Sequence, residues 1–337
     1  MSRETKVEQE RLSAIVHRFP QKKIVVVGDM VADQFLYGAI SRVSREAPVL
    51  ILRHEKTQTV PGGAANCAVN LASLSAQVSL IGVVGNDEAG DALLKKFSEA
   101  RINADGIVQS SGLRTITKVR VLAGQIHSTR QQVIRIDYEN ETKHGAELQN
   151  RLLEKLIEAG NEADAIIISD YNYGVADEQI AEQARKIANK RNIPLLVDSR
   201  FRLSSFVGST SATPNEDEVE QLLNRKLTGV SELEHECVTL RERLGFEALL
   251  VTRGGNGMLL IEKDKPPRHI EAVGSREPID VTGAGDTVIA AYALGLASGA
   301  TFSDSANLAN YAGGLVVMKR GTASITSQEL LVSVFLQ

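Results

Sequence analysis

The sequence predicts an α/β protein with a mainly parallel central sheet, helices on both of its faces and a small β-sheet lid. Two observations carry that prediction. Short apolar, β-branched runs alternate with amphipathic stretches, which is how strands buried on both faces and their crossover helices read. Two further segments break the rhythm with roughly alternating apolar and polar residues, the pattern of a half-exposed sheet.

Taken in order, the chain opens on a charged stretch in which Leu12, Ile15, Val16 and Phe19 fall at helical spacing ahead of Pro20. That spacing predicts a short amphipathic helix in an N-terminal extension over residues 1–22. Residues 23–28 (KIVVVG) form the first buried strand, and similar runs recur at 78–84, 165–169, 194–198, 248–252 and 258–261. Helices are expected between many of them, over 64–74, 89–100, 147–159, 177–189 and 232–244. The segments that break the rhythm, 47–60 and 114–138, predict a small antiparallel sheet projecting from the body, with lid strands at about 34–60 and 113–138. Such a sheet has an apolar face and two open edges, so it covers something or pairs with a second copy. A homodimer through the lid sheets is therefore expected. Without a repeat or a Pro/Gly/Ser linker, residues 23–337 read as one body.

Composition narrows the function classes. The 337 residues carry 38 Lys+Arg against 42 Asp+Glu, a net charge of −4, with 43% hydrophobic residues, so disorder and disulfide scaffolds are excluded. The weakly acidic balance argues against nucleic acid or an anionic membrane as the main partner. The 8 Phe and 6 Tyr, with no Trp, are not interleaved with basic residues as a stacking platform requires. Cys67 and Cys237 belong to no C-x-x-C pair. The charged N-terminus is unlike a signal peptide, and no apolar run approaches the ~20 residues of a membrane span. A soluble protein of the reducing cytoplasm, with two free thiols, is expected.

The chemistry concentrates in glycine clusters. At 280–287 the string DVTGAGDT precedes a small-residue apolar run. This places Gly283, Ala284 and Gly285 at a helix N-terminus, where free amides and the helix dipole attract an anion. Asp286 lies in the same first turn. It either complements the dipole or removes a proton from an attacking hydroxyl. A second cluster, PGGAAN at 61–66, again precedes a helix, and Asn66 can turn its amide into a cleft; a tight turn before a packed helix is the alternative. A third, TRGGNG at 252–257, links two strands. The sequence lacks a G-x-x-x-x-G-K-[ST] loop, a G-x-G-x-x-G after the first strand, a G-x-S-x-G elbow and metal-ligand histidine spacing. P-loop NTPases, dinucleotide-dependent dehydrogenases, α/β hydrolases and zinc proteases are thereby discounted.

The region 62–90 and DVTGAGDT closely resemble the two signature regions of the PfkB, or ribokinase-like, carbohydrate kinases. Within that family the chain is most similar to the D-glycero-β-D-manno-heptose-7-phosphate kinases, including the kinase half of bifunctional ADP-heptose synthesis proteins. The strings GDMVADQFLYG, SRVSREAPV, PGGAANCAVNLASL, TITKVRVL, QQVIRIDYE, SDYNYG, TPNEDE, LLVTRGGNGM and DVTGAGDTVIA carry the similarity. It implies a three-layer αβα fold and ATP-dependent phosphorylation of a sugar hydroxyl, O1 of heptose 7-phosphate above all. Asp286 would be the base, with Gly283, Ala284 and Gly285 the anion hole. Asp33, Gly62, Gly63, Asn66, Lys118 and Arg120 would bind the sugar. Asn215 and Glu218, an N-x-x-E element, would organise Mg2+ and its waters. Thr252, Arg253, Gly255, Gly257 and Asn310 would line the ATP site, while Asp280, Thr282 and the loop near Gly321 resemble a monovalent-cation site that some members fill with K+.

Two positions depart from the heptose-kinase pattern. Tyr173 stands where a lysine is expected, and Asp198-Ser199-Arg200 stands for Asp-Pro-Lys. Arginine and lysine are not equivalent phosphate partners. These changes keep open another sugar, sugar phosphate or nucleoside as acceptor; a regulator that binds without catalysis is the remaining alternative. No nucleotidyltransferase half follows Gln337, so ADP-heptose synthesis is expected to need a separate protein.

Overall fold

A computed structural model of the chain describes residues 3–124, 130–140, 144–274 and 277–336. Residues 1–2 of the extension and 125–129 of the anticipated lid lie outside the described residues. In chain order come α1 (Arg3–Val16), β1 (Lys23–Gly28), β2 (Met30–Val43), β3 (Leu50–Gly63), α2 (Ala64–Ser73), β4 (Gln77–Gly85), α3 (Glu88–Glu99) and β5 (Asn103–Ser110). Then follow β6 (Ile116–Gly124), β7 (Gln131–Tyr138), α4 (Ala146–Gly160), β8 (Ala165–Asp170), α5 (Glu178–Arg191), β9 (Leu195–Ser199) and β10 (Ser211–Ala212). The chain continues through α6 (Glu216–Leu223), α7 (Val230–Leu244), β11 (Ala248–Thr252), β12 (Met258–Glu262), β13 (Arg268–Ile270), α8 (Ala284–Ala297), α9 (Phe302–Val316) and α10 (Ser327–Leu336). No helix among the described residues is long and apolar enough to cross a membrane.

The apolar runs become the central sheet, in the order β13-β12-β11-β10-β9-β8-β1-β4-β5. It is parallel from β5 to β11, and β12 and β13 add antiparallel. The reason for the apolar runs is visible in β1. Ile24 and Val26 enter the core shared with α1, α2, α3, α8, α9 and α10, whereas Val25 and Val27 enter the core shared with α4, α5 and α7. A strand with a core on each side has no polar face.

The second sheet differs from the reading in pairing and extent. Its order is β3-β2-β6-β7, and β2 pairs with β6 in parallel, so the lid is mixed and not purely antiparallel. β2 begins at Met30, one residue beyond β1, and β3 runs through Gly63 directly into α2. The cause is the route of the chain: α2, β4, α3 and β5 intervene before β6, and a crossover of that kind returns a strand parallel to the first. The register aligns Asp33 with Lys118 and Asp137, and Phe35 with Arg120 and Arg135. Charged side chains thus share one face, while Val119 with Ile136, and Val121 with Ile134, share the other.

Candidate active site

The two glycine clusters, over two hundred residues apart in sequence, meet where α2 and α8 begin. Asn66 Nδ2 donates to Asp286 Oδ2 at 2.6 Å, and Thr287 Oγ1 donates to Asn70 Oδ1 at 2.8 Å. Asn70 Nδ2 in turn donates to the Asn66 carbonyl and to Asn66 Oδ1, at 3.0 and 3.2 Å, which fixes the Asn66 amide with its NH2 group towards Asp286. Glycine is required at this junction. Gly283 has φ +76°, and a Cβ there would stand 2.6 Å from Asn66 Nδ2.

No side chain caps α8. Ala284 N donates to the Val281 carbonyl at 3.2 Å, and Ala284 and Gly285 at the start of the helix line a cavity of about 210 Å³ together with Thr252, Gly255, Gly257 and Asn310. A Cβ on Gly255 or on Gly285 would meet nothing within 4 Å, so the space is free for a ligand to approach the backbone closely. An uncapped helix terminus facing a glycine-walled cavity has the chemistry of an anion cradle. Arg253 does not share the lining: its Nε donates to Glu216 Oε1 at 2.7 Å, which turns it aside from the expected nucleotide site. Asn310 is on the wall, with Nδ2 donating to the Glu271 carbonyl at 2.7 Å.

On the other side of Asp286 stands the charged face of the lid. Asp33 accepts a hydrogen bond from Arg120 and sits on Gly62, where a Cβ would be 2.5 Å from Asp33 Oδ2. Lys118 is 7% exposed and lies 5.4 and 5.6 Å from the ring centres of Tyr171 and Tyr173. Burial lowers the Lys118 pKa, partly offset by Asp33. Tyr173, at the position where a lysine was anticipated, donates its hydroxyl to Glu139 at 2.8 Å and gives Lys118 an aromatic face in place of a charge.

Asp286 is 4% exposed, and burial raises its pKa to about 7 against the hydrogen bonds from Asn66 and from the Tyr171 hydroxyl. A carboxylate poised there is matched to proton transfer near neutrality. Burial also pushes Asp198 well up, aided by repulsion from Glu218, Asp286 and Asp170. Glu218 is raised by burial too, but its side chain and that of Asn215 form a capping box: Glu218 N donates to Asn215 Oδ1 at 2.8 Å, and Asn215 N to Glu218 Oε2 at 2.9 Å. The N-x-x-E spacing thus has a helix-starting role whatever else it does. Among the described residues no group of three or more His, Cys, Asp or Glu is arranged to hold a metal ion. An ion that keeps most of its waters and binds through one or two carboxylates plus phosphates, as Mg2+ does, would not require such a group. Asp280 joins two turns, accepting from Thr282 N at 3.0 Å and from Gly321 N at 2.9 Å; these bonds hold its pKa below the usual range despite partial burial.

Sequence reasoning missed Tyr171, whose hydroxyl lies 3.3 Å from Asp286 Oδ1, and Asp29, which binds the loop after β8. The available signal was their place at carboxyl ends of parallel strands, where ligands of open α/β sheets bind.

Three kinds of similarity agree with this architecture. The profile described as pfkB family carbohydrate kinase matches residues 21–329. Bifunctional protein HldE of Marinomonas sp. (strain MWYL1) is 41% identical over 315 residues, covering 93% of this chain and 64% of that protein. The protein of the same name from Trichlorobacter lovleyi is 36% identical over 332 residues, covering 98% and 66%. The chain spans just under two thirds of the length of these curated relatives. The structure of Arabidopsis thaliana ribokinase complexed with ribose and ATP superposes with a TM-score of 0.72 at 19% identity, covering 93% of this chain and 98% of that one. Phosphofructokinase-2 from Escherichia coli in complex with potassium gives 0.76 at 18% identity, covering 94% and 98%. The fold is ribokinase-like, and the chain belongs to the pfkB family of carbohydrate kinases.

Proposed function

We propose that this chain is a kinase transferring the γ-phosphoryl group of ATP to a sugar hydroxyl, O1 of D-glycero-D-manno-heptose 7-phosphate. One observation carries the reading: a buried carboxylate, Asp286, stands between an uncapped helix terminus on a glycine-walled cavity and the charged face of a lid sheet. In the proposed reaction Asp286 takes the proton of the acceptor hydroxyl as that oxygen bonds to the γ-phosphorus and ADP departs. The proton then leaves Asp286 to solvent. The α8 amides at Gly283–Gly285 stabilise charge on the transferring phosphoryl group, a contribution that needs no Walker lysine. Glu218 and Asn215 would hold Mg2+ through water, and the ion when bound neutralises phosphate charge. The Asp280 loop, closed on Thr282 and Gly321, is the proposed seat of K+.

Acceptor recognition falls to Asp33, Asn66, Lys118 and Arg120. The heptose 7-phosphate assignment rests on the sequence strings shared with those kinases and on these lid cations. The lid would also carry a homodimer contact, because Val133, Ile134 and Ile136 on β7 are 45, 52 and 42% exposed. Two buried free thiols, Cys67 and Cys237, fit the reducing cytoplasm.

The test is an acceptor panel with coupled ADP detection, with and without K+, in which heptose 7-phosphate is set against unphosphorylated sugars and nucleosides. Heptose 7-phosphate should give the highest kcat/KM. A preference for an unphosphorylated sugar would reassign the acceptor, and ligand binding without ADP release for every compound would remove the kinase reading. D286N should lower turnover about 10²–10⁴-fold with the fold intact.

A further inference from the structure

We propose that Tyr171 is a positioning residue for Asp286, and that Asp29 sets its place by binding the loop that carries it. The inference rests on the reading of Asp286 as the base.

The terminal torsion of an aspartate is broad, so a carboxylate at a helix terminus does not by itself present a fixed oxygen to an acceptor. Here each oxygen has its own donor. Asn66 Nδ2 reaches Oδ2 from α2 at 2.6 Å, and the Tyr171 hydroxyl reaches Oδ1 from the opposite side at 3.3 Å. Asn66 is fixed by Asn70. The phenol is fixed in another way. Its ring packs on the Gly63 backbone and under Lys118, and its own backbone is bound to a carboxylate 1% exposed. Asp29 Oδ2 accepts from Tyr171 N at 2.8 Å and from Tyr173 N at 3.0 Å, and Oδ1 accepts from Val175 N at 3.1 Å.

Three alternate amides converge on one side chain because both residues between them have positive φ, Asn172 at 64° and Gly174 at 104°. The Asn172 amide turns away to Asp170 Oδ1 at 3.1 Å. Asp29 is the one residue between β1 and β2, so the loop is tied to the carboxyl end of an interior strand of the main sheet. A chain of fixed contacts therefore runs from Asp29 through Tyr171 to Asp286.

Removing the phenolic hydroxyl leaves one Asp286 oxygen without its donor. The other groups that face Asp286 stay: Asn66 and Cys67 from α2, Asp198 from β9, and Asp33 and Lys118 from the lid. A hydrogen bond to a carboxylate favours its charged form. Its loss moves proton release to higher pH and frees the torsion, without touching the cavity that Gly255 and Gly285 line.

The experiment compares the pH profiles of kcat and kcat/KM for wild type, Y171F, D29N and D286N with heptose 7-phosphate and ATP. For Y171F the acidic limb should move up by about half to one pH unit. The kcat at pH 7 should fall about two- to fivefold with both KM values within twofold of wild type, and the deficit should shrink by pH 9. D29N should move the limb the same way. Site-specific replacement of Tyr171 by 3-fluorotyrosine, a stronger donor of the same shape, should move it down and stands in if Y171F fails to fold. A limb that stays in place in Y171F and in the fluorinated protein, while D286N is inactive, would overturn the part given to Tyr171 alone. D286N with near-normal turnover would remove the base, and this proposal with it.

Discussion

Asp286 is held where its charge is unwelcome, and that has a thermodynamic signature separate from catalysis. Its pKa, raised to about 7, exceeds the ordinary 3.8 of the unfolded chain. The folded state therefore binds the proton more tightly, and the stability this contributes is complete below pH 3.8 and lost as pH rises through 7. Asp29, raised to about 6 chiefly by burial, acts in the same direction over a window ending one unit lower. D286N can keep both contacts, its oxygen accepting from Asn66 and its NH2 group donating to the Tyr171 hydroxyl. We expect D286N to be more stable than wild type at pH 8 by roughly 2 kcal/mol, with the advantage gone at pH 4. Thermal melts at the two pH values check this, and a lower melting temperature for D286N at pH 8 would contradict it. At this scale the sequence was only partly legible. The place of Gly283–Gly285 at a helix start could be read from a glycine run ahead of an apolar helix, whereas the same run left Asp286 open between complementing the dipole and taking a proton. Tyr171 could not be read, since its role depends on a left-handed Asn172 and on an aspartate 142 residues away in sequence. The Asn215–Glu218 spacing is ambiguous for a different reason: the same four residues start a helix.

Among the elements, central strands were the most legible. β1 and β11 have the boundaries their apolar runs indicate, because an unbroken buried run meets an abrupt change in polarity, at exposed Lys23 for β1 and at Thr252 for β11. β5 was not read at all: at the sheet edge it is half exposed and carries Asn103 and Asp105 among its apolar residues. The start of β2 was missed for the opposite reason, since buried Met30, Val31 and Ala32 continue the character of β1. β7 bears on assembly. Ile134 and Ile136 point to one face and are exposed, while Arg135 and Asp137 pair on the other, next to the candidate acceptor pocket. Wild type should sedimentate as a dimer at micromolar concentration, and I134D/I136D as a monomer that keeps its thermal stability within a few degrees. A monomeric wild type, or a dimeric double variant, would exclude the lid contact.

At the level of the whole molecule, the N-terminal helix belongs to the body. Leu12, Ile15, Val16 and Phe19 are buried in the core that also holds α8, α9 and α10. Arg11 pairs with Asp304 at 2.9 Å, and Arg18 donates to the Ser298 carbonyl at 2.9 Å. The helix thus buttresses the layer from which α8 presents Asp286. Leu12→Ala should cost about 2–4 kcal/mol of stability by leaving a cavity. KM for both substrates should hold, because among the described residues none from α1 lines the cavity at α8. Urea unfolding together with steady-state kinetics measures both, and a changed KM at unchanged stability would contradict the buttress.

The parallel pairing of β2 with β6 has a consequence for how the chain reaches this shape. β2 and β3 form a hairpin from neighbouring sequence, but β6 joins β2 only about 85 residues later, after α2, β4, α3 and β5 have been laid down. The two lid pairings therefore differ in what they cost to close: β2–β3 shuts a short loop, β2–β6 a long one with the larger loss of chain entropy. Any chain in which β2 and β3 are paired but β6 is not exposes the β2 edge to other strands and leaves Asp33 without Arg120.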